Sequence, residues 1–233
     1  MTAQTPKCAL RIQERALIEW QLDVLDACGI DYVTVVAGFA VADIEALLAQ
    51  RTGNARTRVC YNPFFEVSDN LMSCWMTRDE MTEDFVLLNG DTLFEPAVLQ
   101  RLLASPRRPV TLAIDHKPSY DADDMKVRLA GERLLKVGKD LPPERTDGES
   151  IGLMVFRDQG PEMFKEALER AAREPGALGQ WYLSIIDQLA GSGRVWTQSI
   201  TGLAWSETDY PLDLLRASAL VANWPLPTEE QPS

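Results

Sequence analysis

Between residues 16 and 91 the chain alternates amphipathic helical stretches with short β-branched runs, and few folds accept that alternation. Ala16 to Cys28 places Leu17, Trp20, Leu25 and Cys28 at helical spacing, leaving Glu19, Asp23 and Asp26 for solvent. Gly29 then ends the helix in the usual manner of a glycine just past a C-terminus. Tyr32 to Val36 (YVTVV) reads as a buried strand and Val41 to Ala49 as a second amphipathic helix. Val59 to Tyr61 is a further short strand, Asn62 to Asp69 a loop, and Asn70 to Asp79 a helix. This order predicts an α/β fold with a mainly parallel, Rossmann-like sheet covered by helices on both faces.

The next stretch, Phe85-Val86-Leu87-Leu88-Asn89-Gly90-Asp91, is a buried strand, a tight glycine turn and one carboxylate. Glu95 and Pro96 open the helix that follows, and Ala97, Val98, Leu99, Leu102 and Leu103 form its apolar face. In open α/β sheets ligands bind just beyond the carboxyl ends of the strands. A carboxylate there suits Mg²⁺, which is usually held by one or two carboxylates together with substrate phosphates. Asp91 reads equally well as a turn or N-cap aspartate. Asp209, just before Pro211 and the closing helix, poses the same choice, with a cap the commoner role.

From Pro109 the pattern shifts to short strands at Val110 to Asp115, Met125 to Leu129 and Leu134 to Val137, with a hairpin turn at Ala130-Gly131-Glu132. Ile151 to Phe156 and Val195 to Ile200 are further strands; Pro161 to Ala172, Leu178 to Ala190 and Pro211 to Val221 are helices. The expectation is one domain over residues 1–224, with an antiparallel elaboration in its second half and a disordered Pro/Glu-rich tail over residues 225–233.

Composition narrows the function classes. A net charge of −12, from 23 basic and 35 acidic residues, disfavours a nucleic-acid binder. No apolar run approaches the roughly 18 residues of a membrane span, and the N-terminus lacks a signal-peptide pattern. The four cysteines show no metal-ligand spacing and read as reduced thiols of a cytoplasmic protein. Self-association is left open.

Taken in order, TPKCAL (Thr5 to Leu10), LIEWQLDVLDACGI (Leu17 to Ile30), VVAGF (Val35 to Phe39), NPFFEVSDNLMSCW (Asn62 to Trp75), LLNGDTLF (Leu87 to Phe94), DDMKV (Asp123 to Val127), VGKDL (Val137 to Leu141), GESIGL (Gly148 to Leu153) and WSETDYPLDL (Trp205 to Leu214) resemble the nucleotidyltransferase family. The chain is most similar to the branch with bacterial phosphocholine cytidylyltransferases and sugar-phosphate nucleotidylyltransferases. The resemblance implies a nucleoside triphosphate, CTP favoured, joined to a phosphorylated small molecule with release of pyrophosphate and with Mg²⁺ as cofactor.

By the same resemblance, Asp91 and Asp209 match the two metal-binding aspartates. Lys7 matches a lysine on the nucleotide's phosphates, and Lys139 one near the acceptor's phosphate. Lys126 is a further phosphate candidate, although an exposed strand lysine is usually only solvated. Glu149, in GESIGL, is carried as a substrate-binding candidate. Trp181 and Tyr182 could face a quaternary ammonium through cation–π attraction, or could pack in the core. His116, the one histidine, is needed for no step and reads as a surface residue.

The family opens with a strand and a loop of the form LAAGxGxR, which this sequence lacks ahead of Pro6-Lys7. Its layout puts that strand inside the sheet, so the neighbouring strands are expected to carry unpaired edges. The expectation is either an internal start, in a protein about 20–30 residues longer, or a catalytically weak paralogue that binds a ligand or partner. A glycosyltransferase-like domain is the third class. Asn89-Gly90-Asp91 offers one acid where that class wants an Asp-x-Asp pair.

Overall fold

In the computed structural model, residues 5–208, 211–222 and 224 are described. The described chain opens with a 3-10 turn (Lys7–Ala9) and a small hairpin of β1 (Arg11–Ile12) and β2 (Arg15–Ala16). Helix α1 (Leu17–Ala27) follows, the Glu19 carboxylate accepting the Ala16 N–H at its start, 2.7 Å. The helix closes at Gly29 (φ +78°), with Gly29 N–H bonded to Asp26 O and Ile30 N–H to Leu25 O, both at 3.0 Å. That pattern satisfies the last helical carbonyls and needs the left-handed backbone glycine tolerates.

Then come β3 (Tyr32–Ala37), α2 (Val41–Ala49), β4 (Arg56–Tyr61), α3 (Asn70–Met76) and β5 (Phe85–Leu88). The sequence pattern hides the next element, β6 (Thr92–Phe94), which leads into α4 (Pro96–Leu103). The second half holds β7 (Val110–Asp115), β8 (Lys126–Ala130), β9 (Arg133–Gly138), β10 (Gly148–Phe156), α5 (Gly160–Ala172), α6 (Tyr182–Gly191), β11 (Val195–Ser199), β12 (Trp205–Glu207) and α7 (Pro211–Val221).

Helices cover both faces, and the strands feed them alternately. On one face Phe85, Leu87, Leu112, Ile114, Met154 and Phe156 meet side chains of α3, α5 and α6. On the other Val86, Leu88, Ala113, Leu153 and Val155 meet α1, α2 and α4. A period of two along strands buried on both sides produces this division.

The parallel expectation needs correction. The main sheet runs β5-β10-β7-β11-β9-β8, and within it only β7 and β11 pair in parallel. β10 enters antiparallel between β5 and β7. Strand order depends on contacts between residues far apart in sequence, which local periodicity does not record. β3 and β4 form a separate parallel pair, and β12 pairs antiparallel with β6. Among the described residues no main-chain bond joins β3 to β5.

β10 carries a bulge between Ser150 and Met154. Within it Gly152 adopts φ +71°, and a Cβ there would lie 2.3 Å from Asn89 Nδ2. Gly152→Ala combines left-handed strain with overpacking against Asn89, so an expected loss of about 2–4 kcal/mol follows. Urea unfolding measures it; a loss under about 0.5 kcal/mol would show that Asn89 yields freely.

Candidate active site

The parallel strands β5, β7 and β11 end at one edge of the sheet, and β10 starts there. Asp91 stands at this edge on a turn anchored from several sides. The Gln21 side chain, buried in α1, donates to Asn89 O (2.9 Å) and Thr92 O (2.8 Å). Asn89 N–H donates to Gly152 O at 2.8 Å, and Tyr182 Oη donates to Asn89 Oδ1 at 2.8 Å. Thr208, fully buried, donates from both its N–H (3.0 Å) and its hydroxyl (3.1 Å) to Asp91 O. The turn's backbone is satisfied inward, and the Asp91 carboxylate is left 27% exposed.

Lys7 Nζ lies 3.3 Å from Asp91 Oδ2, so the structure brings these two sequence candidates together. Asp209 lies outside the described residues. Its chain neighbour Thr208 is the residue bonded to Asp91 O. Among the described residues no three His, Cys, Asp or Glu groups converge as a metal site. Mg²⁺ needs only one or two carboxylates when phosphates complete its shell, so Asp91 suits that ion.

Trp181 and Tyr182 part company. Helix α6 begins at Tyr182, not Leu178, with Trp181 just ahead of it. This turns the Tyr182 ring into the core, where it is 2% exposed. Burial pushes its phenol well above the ordinary range, with Cys74, Asp91 and Glu207 adding to the shift. Tyr182 is therefore a neutral donor that positions Asn89 and takes the core-packing alternative, so the two rings do not face a cation as a pair. Trp181 is 41% exposed, and the Lys139 ammonium sits 4.9 Å from its ring centroid. Lys139 Nζ is also 3.6 Å from Asp123 Oδ1.

Beside Trp181 opens a pocket of about 270 Å³ at the ends of β3 and β4, lined by Ala37, Gly38, Asn62, Ser68 and Ser73 among others. Asn62 is buried; its Oδ1 accepts the Phe64 N–H (2.9 Å) and its Nδ2 donates to Ser73 Oγ (3.3 Å). With amide, hydroxyl, indole and phenyl groups and the Asp69 carboxylate in its lining, the pocket suits a flat polar ligand.

Lys126 and Glu149 are not free at the surface. Lys126 is 2% exposed and donates to Asp121 O (2.6 Å) and Asp124 O (3.4 Å), pinning the loop before β8. This corrects the reading of an exposed strand lysine: the loop's carbonyls satisfy the buried ammonium. Glu149 pairs with Lys117 Nζ at 2.9 Å, and Lys117 also reaches Asp124 at 2.6 Å. Burial raises the Glu149 carboxyl, the charge of Asp124 adds to that, and Lys117 opposes it. For Asp124 burial acts in the same direction, but Lys117 and the Asp121 amide outweigh it, so its carboxyl lies below the usual value. His116 is exposed, its Nδ1 2.6 Å from Asp147 O.

Cys8 sits beside the turn, but burial pushes its thiol up to about 11, with its own backbone opposing and the Asp91 charge adding. It has no thiolate to offer near neutrality. Sequence reasoning missed Gln21, Asn89 and Thr208 as positioning residues. The available signals were a Gln on the apolar face of α1 and a Thr next to the Asp209 candidate.

No protein-family model matches the chain. The CMP-5'-(3-aminopropyl)phosphonate synthase of Streptomyces rubellomurinus is 28% identical over 225 residues, covering 93% of this chain and 35% of that protein. The bifunctional IPC transferase and DIPP synthase of Rubrobacter xylanophilus is 28% identical over 222 residues, covering 94% of this chain and 48% of that protein. The inositol-1-phosphate CTP transferase from T. maritima superposes with a TM-score of 0.78 at 19% identity, covering 97% of this chain and 91% of that one. The homologues and the structural neighbours of this chain are nucleotidyltransferases, the class to which its fold corresponds. The chain spans half or less of the length of these two sequence relatives.

Proposed function

We propose that this chain is a Mg²⁺-dependent nucleotidyltransferase that uses CTP and a small acceptor bearing a phosphate or phosphonate. The observation that carries the reading is the anchored Asp91 turn, with Lys7 against its carboxylate and the pocket beside Trp181, the residue before Tyr182, which bonds Asn89 in that turn. A relative named for a CMP-phosphonate product and a structural neighbour named for CTP transfer support the cytidine preference. Cytoplasm, the source of nucleoside triphosphates, is the setting we infer.

In this reaction an acceptor oxygen attacks the α-phosphorus in line, one P–O bond forms, and the bond to pyrophosphate breaks. The nucleophile is already an anion, so no general base is needed, and catalysis reduces to positioning and charge neutralisation. Asp91 and Asp209 would hold Mg²⁺, which when bound neutralises phosphate charge. Lys7 screens the triphosphate. Lys139, steadied over Trp181, turns from Asp123 to the acceptor's anionic group and offsets its repulsion by the nucleotide. The pocket by Asn62 receives the base.

Pyrophosphate release, crossing CTP, UTP, GTP, ATP and dTTP with choline phosphate, sugar 1-phosphates and an aminoalkylphosphonate, tests the proposal. Release with CTP and at least one acceptor, abolished by EDTA, is expected; no release and no calorimetric CTP binding would sink it. Lys139→Ala is expected to raise the acceptor KM by about 10–100-fold with little change in the CTP KM. Equal effects on both constants would remove the acceptor assignment.

A second reading is a binding protein with weak turnover. Lys7 paired directly with Asp91 favours it, since the lysine must leave its partner to meet a triphosphate. CTP binding without pyrophosphate release distinguishes it.

A further inference from the structure

Lys7 is fixed beside Asp91 by its backbone and left free to turn by its side chain. The 3-10 turn it opens is closed by Ala9 N–H to Pro6 O and Leu10 N–H to Lys7 O, both at 3.0 Å. Cys8 and Ala9 of that turn pack against the same apolar cluster as α1 and α4. Cys8 Cβ lies 3.9 Å from where a Cβ on Gly90 would stand, so the 3-10 turn rests directly on the turn that carries Asp91. The Lys7 side chain, by contrast, is 42% exposed, with its ammonium 3.3 Å from Asp91 Oδ2.

That ammonium and a divalent cation compete for one oxygen. A Mg²⁺ bonded to Oδ2 at about 2.1 Å would lie within about 5.5 Å of the ammonium, where the two positive charges repel. Either the metal is held off or the lysine swings out and gives up its ion pair. Phosphates change the balance, because they offer the ammonium a second anion as the metal takes the first. A tethered lysine cannot diffuse away, so every cation that arrives alone meets this competition.

On the reading of Asp91 as a cation ligand, we propose that Lys7 is a built-in competitor for divalent cations at that carboxylate. Bare metal binds weakly, and metal accompanied by phosphates binds well, since lysine and carboxylate then exchange partners and no charge is left unpaired.

Mn²⁺ binding without nucleotide tests the first half, read by electron paramagnetic resonance at fixed low salt. Mn²⁺ suits the same oxygen ligands as Mg²⁺. Lys7→Met is expected to bind it about three- to tenfold more tightly than the parent. Lys7→Arg, which keeps the charge, is expected to stay near the parent, and Lys7→Met combined with Asp91→Asn to lose the gain. Calorimetry with magnesium pyrophosphate tests the second half, and there Lys7→Met is expected to bind about tenfold more weakly. Opposite signs in one variant are not produced by a merely structural lysine. A Mn²⁺ gain below about twofold, a gain that survives Asp91→Asn, an equal gain in Lys7→Arg, or undiminished pyrophosphate binding would each overturn the proposal. CTP-dependent pyrophosphate release together with a Mn²⁺ affinity indifferent to Lys7 would sink it and leave the transferase reading standing.

Discussion

Asp91→Asn is expected to lower the proposed nucleotidyl transfer by about 10³-fold or more while leaving the fold intact, an effect of several kcal/mol on the transition state alone. The amide keeps the shape of the carboxylate but loses the charge a hard divalent cation requires. The turn should survive. Its anchors are the Asn89 main chain and side chain, Thr92 O and Asp91 O, none of which is the altered group. The ion pair lost is the one with Lys7, whose side chain is 42% exposed, and such pairs contribute roughly 0–1 kcal/mol. Steady-state kinetics and thermal unfolding together decide the matter. Retained activity removes the metal role; a collapse in Tm shows that Asp91 holds the fold rather than the ion.

Lys117→Met is expected to cost about 2–3 kcal/mol of stability near neutrality, a buried-pair figure reduced because Lys117 is one-third exposed. Methionine fills the volume but leaves the Glu149 and Asp124 carboxylates facing each other without their shared ammonium. The sign with pH follows from the three groups. Partial burial works against the Lys117 charge, yet its two partners raise its pKa above 10.5, so its contribution is complete at neutrality and lost only in alkali. Asp124, held below 3.8, adds stability above that range and loses it as pH falls through its folded value. Glu149, raised above 4.5, opposes folding increasingly as pH climbs through that window. In the variant both carboxyls lose the lysine that holds them down, and acid protonates them and relieves the repulsion. The gap between variant and parent, measured by urea unfolding, should be widest near pH 7 and shrink towards pH 4. A gap independent of pH would mean that lost packing, not charge, is responsible.

Much of this molecule is legible in its sequence, and the exceptions have physical causes. The 3.6 and 2.0 periods locate α1, α2, α4, α5 and most strands because each buries a definable face. β6 and β12 escape because three residues are too few to show a period, and their pairing spans more than a hundred positions. Lys126 escapes because a lysine carries a prior for solvent; the loop carbonyls of Asp121 and Asp124 that reverse it are a product of folding. Of the two readings for Trp181 and Tyr182, Tyr182 takes the core and Trp181 the surface, because the helix starts at Tyr182 rather than Leu178, a boundary the local pattern does not fix. Asp91 is legible as a candidate because a strand, a glycine turn and a lone acid are contiguous. The anchors behind it come from four separate segments, and only their assembly defines the site.

Those anchors have a consequence for when disorder is removed. The backbone on both sides of Asp91 is tied down as the chain folds, by Gln21, Gly152 and Thr208. A ligand arriving at this carboxylate meets a rigid template and surrenders only its own freedom. Weakening any one anchor would transfer that entropic cost from synthesis of the protein, where it is met once, to each encounter with substrate.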